Sequence, residues 1–117
     1  MDFSVRVDVD SDIAVLYPKG HLDAHNVELF ESEIIKLITN KSINIIINCT
    51  ELDYISSAGM GIIMGYLDEI QEKNGDIKLC SVNERVYEIF DLVGFTEIYD
   101  FLKDESEARK KFANGKK

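Results

Sequence analysis

Polar and apolar residues alternate over residues 3–9, putting Phe3, Val5, Val7 and Val9 on one face. A period of two is the signature of a half-buried strand. The turn Asp10-Ser11-Asp12 separates it from a second strand over residues 13–17, so the two should pair as a hairpin that Pro18 and Gly20 bring to an end. The period then lengthens. Val27, Phe30, Ile34, Leu37 and Ile38 fall on one helical stripe, with Asp23 as the expected N-cap and Asn40 as the stop. Residues 43–49 are a short, β-branched apolar run, as expected of a strand covered on both faces. Helical spacing returns over residues 60–70, and Asn74-Gly75 closes that helix. A strand over 76–82 follows, with Ile77, Leu79 and Ser81 on one side. Asn83 caps a short helix that turns Val86, Ile89 and Phe90 inward and stops at Gly94. Residues 95–99 read as a short edge strand and 104–112 as a last, weaker helix, while 114–117 should fray.

The predicted order is ββαβαβα, then a further β and a final α. Strands alternating with helices imply parallel pairing through right-handed crossovers. The expected fold class is therefore α/β, a mixed four- to five-stranded sheet with about four helices packed on it. At 117 residues the chain is one domain, able to bury a core without metal or disulfide staples. Its net charge of −9 disfavours nucleic acid and anionic membranes as partners, since both demand basic surface, and it suits a basic protein partner. The first residues lack the pattern of a signal peptide and no apolar run approaches a membrane span, so a soluble, cytoplasmic protein is expected. Cys49 and Cys80 sit in apolar, strand-like surroundings without zinc-type spacing, and read as two buried, reduced thiols.

The candidate chemistry concentrates in Tyr54-Ile55-Ser56-Ser57-Ala58-Gly59-Met60-Gly61, where the central strand gives way to a helix. A hydroxyl there lies beside the unpaired N–H groups and partial positive charge of a helix N-terminus, a suitable place for a phosphate. Helix capping is the competing reading, and with two serines in a row one can cap while the other points outward. Gly59, Gly61 and Gly65 each cost about 0.5–1 kcal/mol relative to Ala inside a helix. Close packing on the helix's own sheet and a flat landing surface for a partner would both explain them. Met60 and Met64 share a face at i, i+4 spacing; Ile63, Leu67 and Ile70 already make a core stripe, which leaves Met64 at least partly exposed. His21, Asp23 and His25 alternate, but on a loop without a fourth ligand they read as surface residues rather than a metal site. A serine hydrolase would want a Gly-x-Ser-x-Gly elbow, absent here, and no nucleophile–base–acid set is apparent.

Taken together, these segments resemble the STAS domain family, and in particular its stand-alone anti-sigma factor antagonists. Gly20-His21-Leu22-Asp23 matches the family's turn before the first helix. Ile45-Ile46-Ile47-Asn48 with Leu52 to Gly61 matches its central strand and phosphorylation loop, and Leu79 to Asn83, Val86, Phe90 and Gly94-Phe95 match its later elements. The resemblance implies a STAS domain over 1–113 with a frayed tail, and no cofactor or catalysis of its own. It implies partner switching: the unmodified protein binds an anti-sigma factor, itself often a serine kinase, and so frees a sigma factor. Phosphorylation ends that binding and a serine phosphatase restores it, with ATP and magnesium belonging to the kinase. Alignment on Gly59-Met60-Gly61 puts the phosphoacceptor on Ser57. The common motif has Asp where this chain has Ser56, and Ser or Thr where it has Ala58, so Ser56 is the alternative acceptor. The implied partner-binding set is Gly20, His21, Asp23, Ser56, Ser57, Gly59, Met60, Gly61 and Met64. A STAS subunit of another regulatory or lipid-transport assembly is the second reading, and a small hydrolase using Ser57 ranks far below both.

Overall fold

The alternating N-terminal segment does form a hairpin. In the computed structural model, which describes residues 3–115, β1 (Ser4–Asp10) pairs antiparallel with β2 (Ile13–Leu22), from Ser4 opposite Lys19 to Asp10 opposite Ile13. Contrary to expectation, neither Pro18 nor Gly20 ends β2. Its first half pairs in parallel with β3 (Asn44–Asn48) through Ala14–Leu16, and its far end pairs in parallel with β4 (Leu52–Ile55) through Gly20–Leu22. Pro18 falls in the gap between those two pairings, where a missing N–H removes no parallel-ladder bond. Gly20, at φ 101°, supplies the irregularity by which β2 changes register toward β4.

Beyond β2 the chain alternates. Helix α1 (Val27–Thr39) buries Phe30, Ile34 and Leu37. Its N-cap position is Asn26, not Asp23 as the spacing suggested, because the Asp23 carboxylate is taken up by the turn itself, accepting from the His25 N–H at 2.9 Å. After β3 and β4 come α2 (Ser57–Glu72) and β5 (Asp76–Cys80), then α3 (Glu84–Leu92), which Asn83 caps through a 2.9 Å bond from the Val86 N–H. Residues 95–99 are not the expected edge strand. Gly94 at φ 84° turns the chain into one helical turn, α4 (Phe95–Ile98), which stacks Phe95 on Tyr99 with ring centroids 4.7 Å apart and sets Phe95 against Phe90. The edge strand comes just later, as β6 (Asp100–Leu102). Helix α5 (Glu105–Gly115) follows; of the tail expected to fray, residues 116–117 lie outside the described residues.

The sheet runs β1-β2-β3-β5-β6, with β4 beside β2. All pairs except β1–β2 are parallel. Period-two alternation divides the strands between two cores. Ala14, Leu16, Ile45, Ile47, Ile77 and Leu79 face α1 to α4 in the larger one. Val15, Ile46 and Cys80 face the other way, under Ala108 and Phe112 of α5. Both cysteines are buried; desolvation pushes both thiols up, Cys80 to about 11. No helix among the described residues is long and apolar enough to cross a membrane.

Helix α5 carries little apolar surface and is fixed largely by polar contacts. Glu105 accepts from the Tyr17 hydroxyl at 2.8 Å, from Asn48 at 3.2 Å and from Arg109 at 3.0 Å. Beneath α5, Lys78 is buried with its Nζ 3.0 Å from Asp76 and 2.8 Å from Asp100, over the Phe112 ring. Burial alone would raise the Glu105 carboxyl, but the three hydrogen bonds outweigh it and hold it below the usual range.

A Cβ on Gly59 would sit 2.9 Å from both Ile55 Cγ1 and Leu22 Cγ, whereas one on Gly61 or Gly65 would meet nothing within 4 Å. In urea titrations Gly59→Ala should therefore lose about 1–2 kcal/mol, the overpacking outweighing the helix-propensity gain. Gly61→Ala and Gly65→Ala should each gain about 0.5–1 kcal/mol. Glu105→Gln should lose about 1–2 kcal/mol at neutral pH. A depressed carboxyl stabilises fully above its unfolded value, about pH 4.3, and loses that contribution as the pH falls through its folded value. The deficit of Glu105→Gln should accordingly shrink in melts below about pH 4.

Candidate functional site

Strands β2 and β4 are parallel neighbours, so they deliver their following loops to the same end of the sheet. There the Ser56 N–H donates to the Leu22 carbonyl at 2.9 Å and joins the two loops. The serines then divide their roles. Ser56 is the N-cap of α2 in extended conformation; its Oγ accepts from the Gly59 N–H at 3.4 Å and its carbonyl from the Met60 N–H at 3.0 Å. It is half-buried, while Ser57, the first helical residue, is exposed, and its hydroxyl makes no hydrogen bond among the described residues. The first turn of α2 carries no acidic side chain, so its partial positive charge is uncompensated.

From Ser57 an exposed stripe runs along α2 through Gly61, Met64 and Gly65. Met64 is 50% exposed, whereas Met60 is in the core, so the two methionines do not share a face as their spacing suggested. The stripe of Ile63, Leu67 and Ile70 is buried as expected, and Met60 at its margin is drawn in beside it. Gly59 is likewise buried and serves close packing on β2 and β4. Gly61 and Gly65 leave the outer surface flat.

The other wall of the site comes from the β2–α1 loop. Asn26 spans it, donating from Nδ2 to the His21 carbonyl at 2.8 Å and accepting the Asp23 N–H at 3.0 Å. The His21 ring sits edge-on to Tyr54 of β4, centroids 5.9 Å apart, and Tyr54 is partly open to solvent. Gly20 is buried beneath, its N–H donating to the Glu51 carbonyl at 3.0 Å. His21 is engaged with Tyr54 and Asp23 with the His25 backbone, and no group of three metal-ligating side chains occurs among the described residues. The structure therefore gathers Ser57, Gly61 and Met64 on one surface, with Ser56, His21 and Asp23 beside it. Gly20, Gly59 and Met60 support it from below. Asn26 and Tyr54 stand outside the partner-binding set implied by the resemblance, yet both help to build this surface. Asn26 stands directly before the first apolar position of α1, where an N-cap is expected, but its side chain bridges the loop rather than bonding the helix end. Tyr54 belongs to a four-residue strand too short for periodicity to reveal.

Comparison with known proteins bears on this arrangement. The anti-sigma F factor antagonist of Paenibacillus polymyxa is 23% identical over 109 residues, covering 92% of this chain and 93% of its own. The anti-sigma factor antagonist SpoIIAA, solved in its unphosphorylated form, has a TM-score of 0.84 at 22% identity and covers 97% of this chain and 100% of its own. The phosphorylated form of the Bacillus cell-fate determinant SpoIIAA gives 0.73 at 22% identity, covering 93% and 99%. The STAS domain profile matches residues 4–108, from the first residue of β1 into the middle of α5. The hairpin, the strand-to-helix serine loop and the helices that follow are thus those of the STAS domain family, and this chain belongs to it.

Proposed function

We propose that this protein is an anti-sigma factor antagonist that works by partner switching in the cytoplasm. In its unmodified form it binds an anti-sigma factor, itself a serine kinase, and thereby releases a sigma factor. Phosphorylation of Ser57 by that kinase, using ATP and magnesium, ends the binding, and a serine phosphatase resets it. The observation that carries this reading is the unbonded, exposed Ser57 hydroxyl at the start of α2, at the head of the open Gly61–Met64 stripe. Ser56 is the alternative acceptor, but its half-buried Oγ is used in capping, which favours Ser57.

The physics of the switch is local. A phosphoserine brings a charge of about −1.5 to −2 and strong acceptor oxygens. Standing at the uncompensated positive end of α2, it is tolerated by the domain. A partner lying flat over Gly61 and Met64 would have to bury that charge unpaired, which is expensive. Affinity therefore changes without any refolding of the domain.

The test is calorimetric titration against the anti-sigma factor that copurifies from native cells, together with fragmentation mapping of any phosphate. Ser57→Asp should weaken binding about 100-fold or more, equivalent to roughly 3 kcal/mol. Ser57→Ala should bind like the unmodified protein and carry no phosphate. Because an acidic residue at the first helical position favours the helix by about 0.3–1 kcal/mol, Ser57→Asp should melt no lower than the parent. Equal binding by both variants would rule out Ser57 as the switch, and phosphate on Ser56 would move the site by one residue.

A further inference from the structure

The corner between α3 and α4 carries an apolar surface that the fold does not use. Leu92, Val93 and Ile98 are 86%, 55% and 58% exposed, the largest exposures among the sizeable apolar residues described. The corner has its own buried core in Phe90, Phe95 and Tyr99, whose rings pack in series at 5.2 and 4.7 Å. Leu92, Val93 and Ile98 stand outside it. Their rim is acidic. Glu88 lies one helical turn before Leu92, Asp91 and Glu97 flank the corner, and all three are exposed. Asp91 also accepts from the Thr96 hydroxyl at 2.6 Å, tying the two helices together across the turn. The last turn of α3 has no basic residue, so the partial negative charge of its carbonyl end adds to the rim.

The parallel register locates this surface relative to Ser57. Ser57 follows the end of β4, at the end of the sheet where the parallel strands finish. The corner leads directly into β6, whose first residue, Asp100, pairs with Lys78 near the start of β5. The two surfaces therefore lie at opposite ends of the parallel strands. A phosphate at Ser57 thus stands at the far end of the strands from Leu92 and Ile98.

We propose that the α3–α4 corner is a second docking surface, and that its occupant is a basic amphipathic helix of a partner protein, with apolar anchors on Leu92, Val93 and Ile98 and Lys or Arg side chains over Glu88, Asp91 and Glu97. Charge complementarity selects this occupant. A second copy of the chain would bring one acidic rim against another, and an anionic lipid surface would be repelled by the same carboxylates. A cationic helix gains at the rim and at the carbonyl end of α3 together. This inference does not depend on the Ser57 switch.

The test uses the ¹⁵N-labelled full chain titrated with a synthetic Leu/Lys peptide of amphipathic helical spacing, alongside its scrambled and Leu/Glu counterparts. Saturable amide shifts confined to residues 88–98, weakening with added salt and seen only with the patterned Leu/Lys peptide, are expected. The Leu92→Ser/Ile98→Ser variant, whose urea midpoint should match the parent, should bind about tenfold more weakly. Ser57→Asp should bind undiminished. Shifts centred on α2, undiminished binding by the double variant, or no saturable binding would overturn the proposal. So would a dimer in sedimentation, or binding to phosphatidylglycerol vesicles, that the double variant abolishes.

Discussion

Strand β2 is longer than β3, its parallel neighbour, and the surplus decides where everything else at the site can be. Ala14–Leu16 are used by β3, and the three residues Gly20–Leu22 are left for β4. Because β4 must begin beside Gly20, the chain leaves β3, turns through Glu51 and rejoins the sheet one step further along the same strand. Its exit then meets the exit of β2, and the Leu22–Ser56 bond follows. The start of α2 is thus held by backbone hydrogen bonds, which are insensitive to most side-chain changes. A serine at this point gains a fixed position at little dependence on its neighbours' side chains.

The division of labour within residues 56–65 is finer than residue type suggests. Two serines stand side by side, one turned into the helix end and the other to solvent. Of three glycines, one is demanded by contact with Leu22 and Ile55, while two serve only the outer surface. Two methionines one turn apart end on different sides of the core boundary. For the glycines and methionines the difference is an angular step on the helix; for the serines it is the change from extended to helical backbone between Ser56 and Ser57. Structure separates what composition merges.

Much of the architecture was legible in the sequence because periodicity is a property of the chain alone. The hairpin strands, the α1 and α2 stripes, the strand read over 76–82, of which Asp76–Cys80 forms, and the Asn83 cap all show in the sequence. What was not legible depended on partners distant in sequence. Pro18 looked like a strand terminator because its tolerance arises from a gap between β3 and β4 on the neighbouring edge. Residues 95–99 carry strand-favouring aromatic and β-branched side chains, yet Phe95 and Tyr99 are spaced for one helical turn, and packing against Phe90 goes with the turn. Asp23 and Asn26 are both residues that favour the N-cap position; Asn26 occupies it, yet both side chains are spent on the turn, Asp23 on the His25 N–H and Asn26 on the His21 carbonyl and the Asp23 N–H. The candidate serines and their division into one cap and one exposed residue were visible; which serine takes which role was not, since it rests on where the helical backbone of α2 begins.

Among the described residues, α5 is the helix that closes the second face of the sheet. Its polar anchor joins Glu105 to Tyr17 across 88 positions of the chain, and its apolar seal consists of Ala108 and Phe112. Synthesis proceeds from the N-terminus, so every strand of the sheet leaves the ribosome before the helix that covers Val15, Ile46 and Cys80. For that interval the nascent domain shows one finished side and one bare side. The carboxylates on either side of Lys78 border the bare side and give it a polar margin while it waits for its cover.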